Sequence, residues 1–316
     1  MSHVSRGHIA VVLNATSGHG AAPKAAERLK EIFAEAGREA RITLATGGSE
    51  INAAMRGAVE AGCEALVAGG GDGTINCAAS AVVGRGIPLG VLPLGTLNHF
   101  AKDLGIPLEL DEAAKVVLDG VVCKVDVGEV NGRIFLNNSS LGVYPAVVRL
   151  REKYQATLGG KWLAALWAGL TVLRRRPFMA VRIVAEGEAI VRRTPLVLVG
   201  NNEYKMAGIH AGSRESLARG RLALYVLNAE QRPGLLRLAW QVLLKGAERV
   251  KEVDLITLEE ATVETRRPRP QVAADGEVFS LQSPLHFRIR PEALRVYVPP
   301  AASACYPHPP WASSTR

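Results

Sequence analysis

The sequence predicts an α/β protein in which a parallel-sheet domain is followed by a β-rich, antiparallel domain. Over the first third of the chain, short apolar runs alternate with segments of helical periodicity, which is the pattern of a parallel sheet covered by helices. From about Lys124 onward, strand-like runs are joined by tight turns instead, which is typical of antiparallel strands. The length of 316 residues also favours about two domains.

The first domain is predicted to cover residues 1–124. In open parallel sheets the loops that follow the strands lie at one edge, where ligands bind, so we expect the polar residues of these loops to converge. The predicted strands, each with the helix that follows it, are Ile9–Leu13 with Ala22–Ala36, Glu39–Leu44 with Ser49–Ala61, Ala65–Ala68 with Thr74–Val83, and Pro88–Leu92 with Asn98–Leu104.

The second domain is predicted to cover residues 125–292. Asn131-Gly132 lies between two strand-like runs and is a strong signal for a type I′ hairpin turn. Glu186-Gly187-Glu188 separates another pair of strands, and Leu222–Leu227 is a further strand. Helices are expected at Lys161–Leu173 and Pro233–Val250. The tail, residues 299–316, is rich in proline and small residues and is predicted to be disordered.

A cluster of glycines surrounds Asp72 at the end of the apolar run Leu66–Ala68. Glycines let a backbone approach an anion because no Cβ intervenes, and free N–H groups at the start of a helix attract negative charge. Two common phosphate loops do not match, since no lysine follows Gly73 and Thr74 replaces the third glycine of G-x-G-x-x-G. The glycines alone fit either a bound phosphate or a plain strand-to-helix turn.

The net charge of +8 indicates an anionic partner, such as nucleic acid, acidic lipid or a phosphorylated substrate. Nucleic acid is disfavoured because the arginines are scattered and no recognition module is present. The apolar segment 162–173 is too short to span a bilayer and ends in three arginines. It fits either a core helix or a helix at an anionic lipid surface.

The cysteines form neither a metal-binding pair nor a disulfide ladder, and the N-terminus lacks the apolar region of a secretory signal. We therefore expect reduced thiols and a cytoplasmic protein, with peripheral association at the inner membrane surface as an option. The oligomeric state is not predicted.

Five sequence elements together carry a family resemblance: Leu13-Asn14 with Ser17-Gly18, the isolated Thr46, Gly70–Asn76, Pro93–Ala101 and Asp275-Gly276-Glu277. The pattern resembles the diacylglycerol kinase catalytic family, in its bacterial soluble branch, which includes sphingoid-base kinases. The resemblance spans residues 7–298. NAD kinases and phosphofructokinases share a similar glycine loop, and it is Gly95-Thr96 with Phe100-Ala101 that favours the lipid branch.

The resemblance implies an ATP-dependent lipid kinase that transfers the γ-phosphate to the hydroxyl of a lipid such as diacylglycerol, with ATP and Mg²⁺ as cofactors. It implies an NAD kinase/phosphofructokinase-like nucleotide-binding domain, a β-rich lipid-kinase domain, and a final strand, residues 293–298, that returns to the first domain. The residues implied to bind ATP are Asn14, Ser17, Gly18, Thr46, Gly70, Gly71, Asp72, Gly73, Thr74, Asn76, Gly95 and Thr96.

Three carboxylates are implied to carry the chemistry. Asp72 would lie close to Mg²⁺ or the reacting phosphate, Glu277 would be the general base, and Asp275 would support the metal or fix Glu277. On the residues alone, Asp275-Gly276 is a hairpin turn, and both interpretations can hold together.

Two positions depart from the family pattern. His99 replaces an aspartate found in many members, so that either Asp103 compensates or the histidine donates to phosphate. Arg219 replaces an aspartate that holds a structural magnesium, and a cation cannot ligate Mg²⁺, so that second site is predicted to be missing. Two alternatives stay open: a soluble NAD- or sugar-kinase-type phosphotransferase, and a nucleotide-binding sensor without catalysis.

Overall fold

The computed structural model of the chain describes residues 7–17, 22–145, 178–204, 213–214, 216–227 and 253–302. The predicted helices at 161–173 and 233–250, Gly18, and the tail beyond residue 302 lie outside these residues. The chain divides into two compact units: residues 1–127, 215–219 and 291–316 form the first, and residues 128–214 and 220–290 form the second. That residues 215–219 belong with the first unit was not predicted from the sequence.

The helices and strands follow one another in the order β1 (Ile9–Asn14), α1 (Ala22–Glu35), β2 (Ala40–Ala45), α2 (Gly48–Glu60), β3 (Ala65–Gly70), α3 (Asp72–Val82), β4 (Leu89–Pro93), α4 (His99–Asp103), α5 (Leu110–Asp119), β5 (Val121–Val130), β6 (Arg133–Phe135), β7 (Asn138–Gly142), β8 (Met179–Ala185), β9 (Glu188–Thr194), β10 (Leu196–Asn201), β11 (Leu222–Leu227), β12 (Val253–Leu258), β13 (Glu260–Thr265), β14 (Gln271–Ala274), β15 (Glu277–Ser280) and β16 (Leu285–Val298).

The first unit contains the predicted parallel sheet, with the strand order β2-β1-β3-β4-β16. Strand β3 is buried along its whole length, and an unbroken apolar run of this kind is typical of a parallel strand covered on both faces. Helix α1 buries one stripe of side chains, including Leu29 and Phe33. The prediction of an α/β domain is therefore confirmed.

The last strand, β16, contributes to both units. Its C-terminal half pairs with β4 in parallel, with Val296 opposite Leu89, and its N-terminal half pairs with β13 antiparallel. Gly84 N–H also donates to Ala293 O at 2.9 Å. Residues 291–298 therefore lie in the same sheet as the N-terminal strands.

The second unit is built from antiparallel strands, as predicted. One sheet has the order β12-β11-β10-β7-β14-β15. The strands β13, β8 and β9 continue the sheet of the N-terminal strands beyond β16, and β5 pairs with β16 and β6. A core cluster draws side chains from both sheets, among them Val199, Leu224, Val263 and Phe287. Asn131 and Gly132, with φ of 45° and 82°, form the predicted turn between β5 and β6.

One expectation about the cysteines is wrong. Cys123 is disulfide-bonded, whereas Cys63 is a buried free thiol whose pKa is raised by burial. Wide spacing along the sequence does not reveal such a pair, because a disulfide depends on the distance between the two residues in the fold.

Among the described residues, none of the helices combines the length and the apolar character needed to cross a membrane.

Candidate active site

The glycine loop joins β3 to α3 and leaves the start of that helix without a side-chain cap. Gly71 is the N-cap residue, in an extended conformation with φ −85° and ψ −178°, and no side-chain hydrogen bond caps the helix. Asp72 and Gly73 follow in the first turn. The first N–H groups of a helix have no partners within the helix, so this N-terminus presents donors that suit an anion.

A second glycine loop follows β4 and lies directly against the first. A Cβ atom on Gly95 would lie only 2.4 Å from the Gly71 Cα and 2.8 Å from the Asn98 Oδ1. The clash with Gly71 would be with backbone, which cannot rotate away, so glycine is required at position 95. The structure thus brings Gly70, Gly71 and Gly95 together, because β3 and β4 are neighbouring parallel strands.

Asn98 closes the second loop with its side chain. Its Oδ1 accepts a hydrogen bond from Gly95 N–H at 3.1 Å, and its Nδ2 donates to Gly95 O at 2.8 Å and to Pro93 O at 3.4 Å. The residue is buried and has a left-handed backbone, with φ 49° and ψ 46°. The loop is therefore fixed, while Thr96 and Leu97 remain exposed.

Asn14 and Asp72 link the neighbouring loops. Asn14, at the end of β1, donates from Nδ2 to Thr74 Oγ1 at 3.2 Å. Asp72 Oδ1 accepts a hydrogen bond from Phe100 N–H at 3.2 Å, at the start of α4. Asn14, the first glycine loop and the second glycine loop therefore form one cluster at the carboxyl edge of the sheet.

The other residues predicted for this site are placed less centrally. Thr46 follows β2, the edge strand, and its N–H donates to Glu50 Oε2 at 2.8 Å, so this amide already has a partner. Asn76 lies one turn into α3, where its Oδ1 accepts from Ser80 Oγ at 3.5 Å. Ser17 is half-buried after β1, and Gly18 lies outside the described residues.

In the second unit, Asp275 and Gly276 form a two-residue turn between β14 and β15, with φ of 46° and 86°. Both oxygens of the Asp275 carboxylate accept backbone N–H groups: Oδ2 accepts from Leu136 at 2.7 Å, and Oδ1 accepts from Asn137 at 2.9 Å and Asn138 at 3.1 Å. Asp275 is therefore anchored to the loop before β7. Glu277 follows as the exposed first residue of β15.

Several polar residues around that loop were not found from the sequence. Arg214 and Asn201 are buried beside it, and the Tyr204 hydroxyl donates to Asn137 O at 2.9 Å. Tyr204 N–H donates to the hydroxyl of Tyr225, and burial raises the pKa of Tyr225 to about 12. The sequence hinted at a polar site here only through Asn201-Asn202, two polar residues at the end of a buried strand. No sequence pattern pointed to Arg214.

The two positions that depart from the family pattern are both exposed. His99 is the first residue of α4, and Arg219 precedes Gly220, which has a φ of 67°. No group of three or more His, Cys, Asp or Glu side chains that could hold a metal occurs within the described part of the chain. A nucleotide-bound Mg²⁺ commonly needs only one or two protein carboxylates, because phosphates and waters supply the other ligands. Asp72 fits that requirement.

Comparison with known proteins agrees with this architecture. Residues 8–130 match the model of the diacylglycerol kinase catalytic domain, and residues 140–298 match the YegS C-terminal NAD kinase beta sandwich-like domain. This combination defines a two-domain kinase. The chain belongs to the diacylglycerol kinase catalytic domain family and is a kinase by class.

Curated relatives support the same assignment, and a solved structure shares the fold. The "Diacylglycerol kinase" of Mycobacterium tuberculosis is 31% identical over 308 residues, which is 93% of this chain and 96% of that protein. A "Probable lipid kinase YegS-like" of Pseudomonas aeruginosa is 43% identical over 140 residues, covering 43% of this chain and 45% of that protein. The crystal structure of a diacylglycerol kinase from Bacillus anthracis shares the fold, with a TM-score of 0.68 at 18% identity, covering 95% of this chain and 99% of that one.

Proposed function

We propose that this kinase transfers the γ-phosphate of ATP to the hydroxyl of a lipid such as diacylglycerol. The observation that carries the proposal is the uncapped N-terminus of α3, with Gly71 packed against Gly95. A side chain at position 95 would push the two loops apart and displace the backbone amides that are proposed to bind phosphate. The names of the relatives, which include a diacylglycerol kinase and a lipid kinase, support a lipid acceptor.

The loops after β1, β3 and β4 of the first unit are proposed to hold ATP. The amides of the α3 N-terminus donate to phosphate oxygens, and Asn14 and Thr96 add polar contacts beside them. Mg²⁺, held through Asp72, would neutralise charge on the phosphate oxygens, which is the main requirement of phosphoryl transfer. The Phe100 N–H orients the Asp72 carboxylate through Oδ1 and leaves Oδ2 for the metal.

Glu277 is the proposed general base. The acceptor oxygen forms a bond to the γ-phosphorus, the bond from that phosphorus to the bridging oxygen breaks, ADP leaves, and the hydroxyl proton passes to the Glu277 carboxylate. Glu277 is exposed at the start of β15, as a residue that receives a proton from a substrate must be. Asp275 supports this role by fixing the turn that precedes Glu277.

The proposed setting is cytoplasmic, with peripheral association at the inner membrane surface, where the acceptor lipid is found. The net charge of +8 favours attraction to anionic lipid headgroups. No nucleic-acid partner is proposed.

The test is to incubate the protein with γ-labelled ATP, Mg²⁺ and a bacterial lipid extract, and then with purified diacylglycerol. We expect label in the organic phase. Label that appears only on NAD or a sugar phosphate would favour the soluble phosphotransferase alternative. ATP binding without transfer to any acceptor would favour the sensor alternative.

The roles of the two carboxylates are tested by Asp72→Asn and Glu277→Gln, each of which we expect to lower kcat by roughly 100-fold or more. Glu188→Gln is a matched control, because Glu188 is also an exposed residue that follows a two-residue turn, with φ of 50° and 84° at Glu186 and Gly187. Wild-type turnover in Glu277→Gln would exclude Glu277 as the base.

A further inference from the structure

The loop of residues 136–138, which leads from β6 into the first residue of β7, is held on its N–H side by Asp275. The N–H groups of Leu136, Asn137 and Asn138 all donate to the Asp275 carboxylate, at 2.7 to 3.1 Å. Asp275 N–H donates back to Asn138 O at 3.0 Å. The turn that contains Asp275 and this loop are therefore connected by both side-chain and backbone hydrogen bonds.

The same loop is held on its carbonyl side by Arg214, which is only 5% exposed. Arg214 Nη1 donates to Leu136 O at 2.5 Å and to Asn201 O at 3.0 Å, and Nη2 donates to Asn137 Oδ1 at 2.9 Å. The guanidinium also lies over the Tyr204 ring, with Cζ 5.6 Å from the ring centroid. A guanidinium is always charged and presents its donors in a fixed planar arrangement, so it restrains the loop firmly.

One peptide group connects the two charged side chains. The carbonyl of Leu136 and the N–H of Asn137 belong to the same amide, with the Arg214 cation at its oxygen and the Asp275 carboxylate at its hydrogen. A cation and an anion at opposite ends of an amide both polarise it, and each hydrogen bond strengthens the other. The hydrogen bonds of Arg214 and of Asp275 are therefore coupled through this amide.

We propose that Arg214 is a positioning residue for the Asp275-Gly276-Glu277 turn, and through it for the base. This inference rests on the proposed function of Glu277. Asp275 has a φ of 46°, as a two-residue hairpin turn requires, and its carboxylate attaches this turn to residues 136–138. These contacts to the loop that Arg214 restrains help to set where β15 and Glu277 begin.

Arg214→Lys tests the proposal. Lysine keeps the positive charge, but a single ammonium cannot reproduce the geometry of the guanidinium. We expect kcat to fall roughly 10- to 100-fold, because a small displacement of a reacting group costs about that much. The KM for ATP should stay within about 2-fold, because the proposed ATP loops belong to the first unit. Arg221→Lys, at an exposed arginine of the same unit, is the control and should match the wild type.

A double variant separates positioning from a general structural role. If Arg214 acts through Glu277, adding Arg214→Lys to Glu277→Gln should lower kcat by less than about 2-fold, because the base it positions is already gone. A residue that merely supports the fold would cause the same further loss in both backgrounds. An unchanged loss in the Glu277→Gln background would therefore overturn the proposal.

The remaining outcomes are also decisive. Should Arg214→Lys not give a folded protein by circular dichroism, Asn137→Ser removes only the Nη2 hydrogen bond and is expected to lower kcat in the same direction by a smaller factor. Wild-type kcat in a folded Arg214→Lys protein, or loss of folding in both variants, overturns the inference. A wild-type protein that labels no lipid acceptor contradicts the proposed function itself, and the inference with it.

Discussion

Asp72 connects the two glycine loops through a single carboxylate oxygen, which accepts the Phe100 N–H at 3.2 Å. The carboxylate lies in the first turn of α3, where the helix dipole stabilises negative charge. One residue therefore both ties the loops together and offers a ligand for a cation. His99, which precedes Phe100, is exposed at the start of α4.

His99→Asp tests how much the departure from the family pattern matters. Because His99 is exposed at the start of α4, we expect kcat within about 10-fold of the wild type. Steady-state turnover with γ-labelled ATP measures this. Complete loss of turnover in a folded variant would show that the imidazole itself contacts the substrate.

Because Tyr225 is buried, we expect the free energy of unfolding to depend on pH in the alkaline range. Burial raises its pKa from 10.0 to about 12, so the phenol ionises less readily in the folded than in the unfolded chain. Its contribution to stability is complete below about pH 10 and is lost as the pH rises towards 12. In Tyr225→Phe this loss is absent, although removal of the acceptor for Tyr204 N–H costs about 1 kcal/mol at neutral pH.

Urea unfolding of both proteins at pH 8, 10 and 11 measures the effect. The gap in unfolding free energy between the wild type and Tyr225→Phe should narrow from pH 10 upward. Tyr144→Phe, at a tyrosine that is 44% exposed, should follow the wild type throughout. A gap that stays constant would show that the phenol is not desolvated.

At the scale of the elements, the loops after β3 and β4 depend on each other. Gly95→Ala would place a Cβ 2.4 Å from the Gly71 Cα and force the two loops apart. We expect KM for ATP to rise roughly 10-fold or more, because the proposed phosphate site lies where they meet. Gly57→Ala in α2, where a Cβ meets nothing within 4 Å, should leave KM unchanged and slightly stabilise the helix.

Sequence reasoning located the elements that have a simple local pattern. The strands β1, β3 and β4 are apolar runs that end in polar or glycine-rich loops, and each was placed to within a residue or two. The hairpin at Asn131-Gly132 was found because a left-handed turn demands those residue types. Both glycine loops were found for a different reason, because glycines clustered at the end of a strand allow the close backbone approach that an anion site needs.

Other elements were missed because their patterns depend on tertiary contacts. Strand β7 begins Asn138-Ser139-Ser140, which looks like a polar loop. Yet both serines are fully buried, with hydroxyls that have no hydrogen-bond partner within the described residues. Arg214 could not be found either, because its partners, Leu136 O and Asn137 Oδ1, are far away in the sequence.

At the scale of the whole molecule, the net charge of +8 predicts salt-dependent association with membranes. Exposed charges are screened strongly above physiological salt. We expect binding to vesicles that contain phosphatidylglycerol to weaken by at least roughly 10-fold between 0.05 and 0.5 M salt. Vesicles of phosphatidylcholine alone should bind weakly at both. Co-sedimentation measures this, and equal binding to the two vesicle types would contradict the proposed peripheral association.

The chain passes between its two units at residues 127/128, 214/215, 219/220 and 290/291. Strand β4 is buried along its length. It pairs with β3 on one side and with β16, close to the C-terminus, on the other. A protein shortened to residues 1–127 would have β4 as a bare sheet edge, with an apolar surface and unpaired amides that invite self-association. Residues 8–130, which match the catalytic domain, are therefore not expected to form a stable protein on their own. Aggregation of such a fragment would reflect its missing strand rather than a defect in its glycine loops.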